Sequence, residues 1–504
     1  MSEKRSSDAL SVTHSLVDLP ELGTADQALK LALDGEKVEV TDEERRALVR
    51  KIDLHIMPLV CVIYFFQYLD KICISYASSL GIIADNGITT TQFSWVATIF
   101  FAGQLVFEFP SVYLLQRLPV AKFTSVTVFL WGGVLSCFAA TTNFTGMMLV
   151  RLFLGICEAS VVPAWVIITS QWYTKEQQGF RVGIWFSMCG FAQIFGGCMA
   201  YGISKHVAGD VNALLSGWQV VFLITGCITS FAGIILYFAL PDSPVNAWFL
   251  SDRERRIHIE NIRHNQQGVG NNIFKKEHFY EAIKDPNTWM YAFWVFAANI
   301  PNSLATSYGG IILTGLGYTK QESLVLVTPL GAVEVVVLLG GTWLGRKYNQ
   351  RLLVCIVIHI IPIVGAFLLA LGDKKTALAG YYLQGAVPIG WTVILGQMSS
   401  NVAGSTKKSV VNAINVIGYC AGNIISPQTF RAANAPRYLP AKISIIIIMF
   451  LVTIDLIIMR WYAIHLNKKR DAEREALGDD YKTRDNQEFL DLTDRENKEF
   501  RYVY

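Results

Sequence analysis

Charge is scarce in this sequence. Asp, Glu, Lys and Arg together make 16% of 504 residues, against roughly 25% in ordinary soluble domains. A soluble chain of this length needs more charge to solvate its surface, so a cytosolic globule is excluded. Metal-binding patterns are missing too. The nine cysteines form no CxxC pair and none lies near a histidine at ligand spacing, which argues against zinc and against a disulfide framework. They read instead as small hydrophobes in helix packing. The first twenty residues, MSEKRSSDALSVTHSLVDLP, have no apolar core, so no cleaved signal peptide is expected. The formal net charge is only +3. No basic patch with interleaved aromatics points to a nucleic-acid partner.

What is abundant is apolar sequence: 52% of the chain is hydrophobic, gathered in long blocks and not in alternating runs. A helix needs about 20 apolar residues to cross the hydrocarbon core. Such blocks lie near 57–80, 92–115, 122–140, 146–170, 181–203 and 218–240. Six more lie near 288–313, 322–343, 351–371, 377–399, 408–430 and 441–463. The pattern predicts an all-α membrane protein with twelve transmembrane helices in two pseudo-symmetric six-helix halves. A duplicated six-helix half is the hydropathy signature of the major facilitator fold, with a substrate site between the halves near the midplane. The organisation expected is a tail at 1–56, a first half at 57–240, a middle loop at 241–286, a second half at 287–463 and a tail at 464–504. TDEERRALVRK, just before the first block, suits an amphipathic helix lying on the membrane. The tail from 464 is strongly charged and reads as flexible.

Loop lysines and arginines set orientation. If the N-terminus is cytoplasmic, inside loops carry sixteen such residues and outside loops seven. Both termini are therefore expected on the cytoplasmic side.

A charge inside a span costs about 2.5–3.5 kcal/mol on insertion scales, so each one needs a reason. Span 1 holds Asp70 and Lys71, and span 4 holds Arg151 and Glu158. Glu108 lies in span 2, Glu334 in span 8 and Asp455 in span 12. Arg151 and Glu158, seven apart, share one helix face. Gly155 and Ala159 on the same stretch let another helix come close. Counting helical rise from each surface puts Asp70 and Arg151 at one depth. The expectation is that Asp70 pairs with Arg151 while Lys71, about 100° further round, faces the cavity. Buried Lys71 and Arg151 then form an anion site, and Asp70 and Glu158 exchange protons. The alternative is that the four charges only neutralise one another. Glu108 and Glu334 read as gate or packing residues. Asp455, on the peripheral span 12, reads as structural or water-accessible, and His359 as a packing histidine. Asn415 and Asn423 in span 11 either reach the cavity as substrate ligands or act as polar glue, and Asn299 has the same status. No Ser/His/Asp set, metal cluster or phosphate loop lies at a common depth, so neither an enzyme nor a cofactor is expected.

Several longer segments then carry a resemblance: YFFQYLDKICIS at span 1, RLFLGICEASVVPAWVIITSQWYTKEQQGFRVGIWF through spans 4 and 5, LPDSPVNAWFL and RHNQQGVGN in the middle loop, GYCAGNIISPQTFRAANAPRYLPA at span 11, and the tail EFLDLTDRENKEFRYVY. Over nearly its whole length the chain resembles the fungal allantoate permease subfamily of the anion:cation symporters, within the major facilitator superfamily. Members carry ureido acids, vitamins such as nicotinate, biotin or pantothenate, cysteine, dipeptides, or sulfate and sulfonates. Bacterial sugar-acid symporters of the wider family have an acid-base pair in span 1 and an arginine-glutamate pair seven apart in span 4. The resemblance gives proton-taking roles to Asp70 and Glu158 and carboxylate-holding roles to Lys71 and Arg151. Lys71 stands where the bacterial pattern has arginine. Lysine is a point charge without a bidentate fork, which leaves a planar carboxylate and a sulfate-like group both open. The implied function is proton-coupled import of a small organic anion by alternating access, by a monomer in the fungal plasma membrane. A sulfate or sulfonate transporter and a non-transporting nutrient sensor of the same fold are the rival readings.

Overall fold

A backbone in lipid must satisfy its own hydrogen bonds, so long apolar blocks become helices. The computed structural model describes residues 41–209, 214–263, 275–435, 437–477 and 492–504. Among the described residues, eleven helices are long and apolar enough to cross a membrane. Spans 1 to 6 are Asp42–Ser79, Thr90–Leu115, Val120–Phe138, Phe144–Trp172, Gln177–Val207 and Gly217–Ala239. Spans 8 to 12 are Lys320–Tyr348, Arg351–Leu371, Lys374–Asn401, Thr406–Thr429 and Leu439–Ala476.

Span 7 is not one helix. It consists of Pro286–Asn299, a 3₁₀ turn at Ile300–Asn302, then Ser303–Thr306 and Gly309–Gly315. Pro301 removes one amide donor and its ring opposes a carbonyl one turn back, which breaks the ladder there. The twelfth crossing is therefore a broken segment, where the hydropathy predicts a continuous one over 288–313.

Packing shows the duplication. In the first half span 3 lies on 6, span 2 on 4 and span 1 on 5. In the second half span 9 lies on 12, span 8 on 10 and span 7 on 11. The two halves meet along spans 5 and 8 and along spans 2 and 11. Exchanging the halves turns one of these seams into the other, as a pseudo-two-fold axis requires. Spans 2 and 8 even start alike, with capping boxes at Thr89–Gln92 and Thr319–Glu322. Large apolar side chains such as Phe129, Phe231, Ile360 and Phe450, on spans 3, 6, 9 and 12, point outward. A continuous apolar exterior of this kind belongs in lipid.

Three further expectations need correction. The basic-acidic stretch before span 1 is not a separate surface helix. A capping box at Thr41–Glu44 starts a single helix that runs unbroken to Ser79. Its first turns are held by Arg181 on Asp53 at 2.7 Å and Lys51 on Glu254 at 2.7 Å. Among the described residues, the charged stretch after 464 is not loose either. The last helix continues to Leu477, and residues 492–504 fold back onto the second half. Asn467 and Tyr502 exchange side-chain and backbone bonds at 2.9 Å, and Asn401 and Val503 do the same at 2.8 and 2.9 Å. The pairing of Asp70 with Arg151, the third, is treated below. Residues 1–40 and most of the RHNQQGVGN motif lie outside the described residues.

Candidate functional site

Span 4 is interrupted where it matters. Helix Phe144–Glu158 ends at Glu158, and a second helix, Val161–Trp172, resumes beyond it. Pro163 lacks an amide hydrogen and its ring crowds the carbonyl four residues earlier, which opens the turn after Glu158. Gly155, on the same face, lies against the backbone of Phe100 and Gln104 in span 2, where any Cβ would collide. The small residue lets spans 2 and 4 touch at backbone distance.

The four charges converge, with different partners from those expected. Lys71 forms its ion pair with Glu158, which is fully buried. Asp70, also fully buried, accepts a hydrogen bond from the indole Nε1 of Trp131 in span 3 at 2.7 Å. No ion pair within 4 Å joins Asp70 to Arg151 among the described residues. Arg151 lies beside a pair of packed rings instead, 5.0 Å from the centre of Phe138 and 5.6 Å from that of Phe222. Rings at that distance stabilise a desolvated guanidinium by about 2 kcal/mol. Its Nε and Nη2 are buried and have no hydrogen-bond partner among the described residues. Lys71 faces the cavity as expected, but Asp70 turns to span 3 and it is Lys71 that takes the carboxylate of span 4.

Lys71 and Arg151 form one wall of a cavity of about 10 Å³, room for about one water. Phe100, Phe101, Thr306 and Ser307 form the rest with Ile74 and Ala97. Thr306 and Ser307 belong to the broken stretch of span 7, so the second half meets the cations with hydroxyl-bearing residues. The halves are tied toward the face opposite the chain ends. Ser79 bonds Ser323 at 3.3 Å, Gly310 bonds Ser75 at 3.3 Å, and Gln428 bonds Thr98 at 3.0 Å. A cavity this small must widen before a solute enters.

The other candidates are placed as follows. Glu108 is buried in span 2, within electrostatic reach of Lys71. Asn415 donates to Val411 in its own helix at 2.9 Å, and its Oδ1 is buried and unpaired among the described residues. Asn423 is fully engaged as a clasp on span 7. It donates to Asn299 at 3.0 Å and accepts from Asn302 at 2.8 Å. Glu334 accepts from Gln193 of span 5 at 2.5 Å. Asp455 is buried with Oδ2 unpaired among the described residues, and His359 is fully buried beside Trp294. Sequence reasoning passed over Trp131, because an indole in an apolar block carries no signature. It also passed over Gly183, Gly190 and Gly197, whose spacing of seven was a usable sign of a close helix seam.

A bundle of twelve crossings in two exchangeable halves, closed round buried cations, is the architecture of a secondary transporter. The Major Facilitator Superfamily signature matches residues 60–427, and the chain belongs to that family. It is 37% identical to the allantoate permease of Saccharomyces cerevisiae, over 95% of this chain and 90% of that one. It is 32% identical to the thiamine pathway transporter THI73 of the same yeast, over 96% and 92%. Among solved structures it is similar in fold to the proton:xylose symporter XylE, with a TM-score of 0.65 at 14% identity over 83% and 96% of the two chains. A bacterial homologue of the lysosomal transporter Spinster gives 0.56 at 16% identity over 80% and 94%. The protein is thus a multi-pass membrane transporter, not an enzyme.

Proposed function

We propose that this transporter is a proton-coupled symporter that imports a small organic anion across the plasma membrane, with both termini cytoplasmic. The observation that carries the reading is the wall of the small cavity. There Arg151 holds two buried donors with no described partner, and Lys71 is neutralised by Glu158. Two cations face one space, and a carboxylate already occupies one of them. An incoming anion must compete with Glu158 for Lys71. Protonation of Glu158 removes the competitor, so proton and anion enter favourably together and leave together. Asp70, held by Trp131, lies within electrostatic reach of Arg151. The excess of lysine and arginine in loops on the chain-end side supports the orientation. The identity with the allantoate permease supports a ureido acid or a similar carboxylate as cargo.

The test is a thermal-shift screen of the purified protein at mildly acidic pH with allantoate, pyridine carboxylates, sulfonates and sulfate. A ligand at 100 times its dissociation constant stabilises by about 2.7 kcal/mol. A carboxylate is expected to stabilise the protein, and Lys71→Ala to abolish the shift. Stabilisation by sulfate or sulfonates alone would overturn the carboxylate assignment. In proteoliposomes, Glu158→Gln should keep exchange of that carboxylate and lose its proton-driven accumulation. Normal accumulation would remove Glu158 as the proton carrier.

A further inference from the structure

The coupling scheme above uses carboxyls of the first half only, yet Glu334 is buried at the centre of the seam between the halves. Spans 5 and 8 run antiparallel there with their backbones in contact. A Cβ on Gly197 would lie 2.6 Å from the carbonyl oxygen of Leu324, and one on Gly190 would collide with the carbonyl of Gly331. Gln193 stands one turn beyond Gly190, and Glu334 one turn beyond Gly331, so both side chains flank the crossing. Gln193 Nε2 donates to Glu334 Oε2 at 2.5 Å and lies 3.3 Å from Tyr68 Oη. Tyr76 donates to the carbonyl of Gln193 at 3.1 Å. One carboxyl thereby links span 8 of the second half to spans 5 and 1 of the first.

No cation answers it. Among the described residues Glu334 has no ion pair. The titratable groups that face it are Tyr64 and Tyr68 from span 1 and Cys189 from span 5. Span 10 meets it with the backbone of Gly385. The pseudo-symmetry sharpens the point. Counted from the matching capping boxes, the residue of span 2 that corresponds to Glu334 is Gln104, also buried. An amide fills this position in one half, so packing alone does not call for an acid in the other.

We propose that Glu334 is a proton-exchanging group of the second half, placed at the pivot of spans 5 and 8, whose ionisation sets how firmly the halves are joined there. This rests on the proton-coupled reading of the transporter. An ionised Glu334 takes a charge-assisted bond from Gln193, roughly twice as strong as a neutral one. A protonated Glu334 holds Gln193 more weakly. A carboxylate stripped of its donors is unfavourable in the bilayer core, so movement of span 8 away from Gln193 draws a proton onto Glu334. Seam opening and proton uptake are then linked at one residue.

The experiment needs no substrate. Infrared difference spectra of the protein in lipid nanodiscs are taken between alkaline and acid pH, for the wild type, Glu334→Gln and Glu158→Gln. Glu334→Gln should lose one protonated-carboxyl band that Glu158→Gln retains. Hydrogen–deuterium exchange across residues 183–197 should rise severalfold on acidification in the wild type and show no such step in Glu334→Gln. A carboxyl spectrum unchanged by Glu334→Gln overturns the proposal. A spectrum unchanged by Glu158→Gln strikes instead at the proton-coupled reading and leaves the Glu334 band to be judged by itself. If Glu334→Gln fails to fold, Gln193→Leu keeps the carboxyl and removes its donor. That variant should move the pH midpoint of the same band, and an unmoved midpoint also overturns the proposal.

Discussion

Replacing Lys407 by methionine tests the docking of residues 492–504. Lys407 opens span 11 and is fully buried. Its Nζ lies 2.8 Å from Glu281, 2.7 Å from Asp285 and 2.7 Å from Asp494. Asp285 and Asp494 are almost as buried, while Glu281 is partly exposed and contributes less. Arg495 also reaches Asp285, at 3.1 Å, but it is too exposed to neutralise the group alone. Methionine keeps the length of the side chain and strands the carboxylates beside one another. Removing one partner of a buried ion pair costs about 3–5 kcal/mol, whereas a solvent-exposed pair is worth about 1 kcal/mol or less. The purified Lys407→Met protein should therefore melt clearly below the wild type, and protease should cut within 492–504. Lys498→Met, at an exposed position, should do neither. A Lys407→Met protein that melts with the wild type and keeps its tail protected would refute the reasoning.

Other perturbations follow from the same geometry. Gly190→Ala forces a methyl onto the Gly331 carbonyl and should cost about 1–3 kcal/mol. Gly202→Ala, with open space around it, should be neutral, and equal melting of the two variants would contradict the close seam. Asn423→Ala removes the clasp on the broken span 7 and leaves Asn302 and Asn299 short of a partner, at about 1–3 kcal/mol. Unchanged melting would show that span 7 holds its break unaided. His258, in the middle loop, is buried against Trp172, and that burial pulls its pKa from 6.5 down to about 4. The undocked loop takes a proton first. Docking is therefore at full strength above pH 6.5 and weakens as pH falls toward 4, by up to about 3 kcal/mol. His258→Phe should keep the stack and lose this pH step, as read by protease cutting in the loop. A wild-type loop equally protected at acid and neutral pH would refute it.

The architecture was legible because lipid imposes one rule on every span: apolar outside, backbone satisfied within. Partner choice was not. Asp70 and Lys71 are neighbours in sequence, and a modest rotation of span 1 decides which of them meets span 4. The answer depends on Trp131 in span 3, whose role no local pattern announces. Span 7 was half legible: Pro301 signals a break, but not where helix resumes. The described part of the tail was misread because its composition suits a solvated segment. Its polar groups are matched by residues far away in the chain, such as Thr493 by Glu281, 212 positions distant, and Asp494 by Ala403, 91 positions distant. Composition carries no trace of such pairs.

Those separations become delays when the protein is made. Glu281 leaves the ribosome first, Lys407 follows 126 residues later, and Thr493 arrives 212 residues after Glu281. At about 5–20 residues per second, the short helix Lys276–Lys284 waits roughly ten to forty seconds for its final partner. Meanwhile it shows Glu281 and Asp285 to the surroundings without the lysine and the tail that later enclose them. The second half thus cannot finish its chain-end face while the polypeptide is still being extended through the tail. A nascent transporter cut short before residue 492 would keep Lys407 on Glu281 and Asp285 but leave that cluster without the cover of Asp494 and Arg495 beside the membrane.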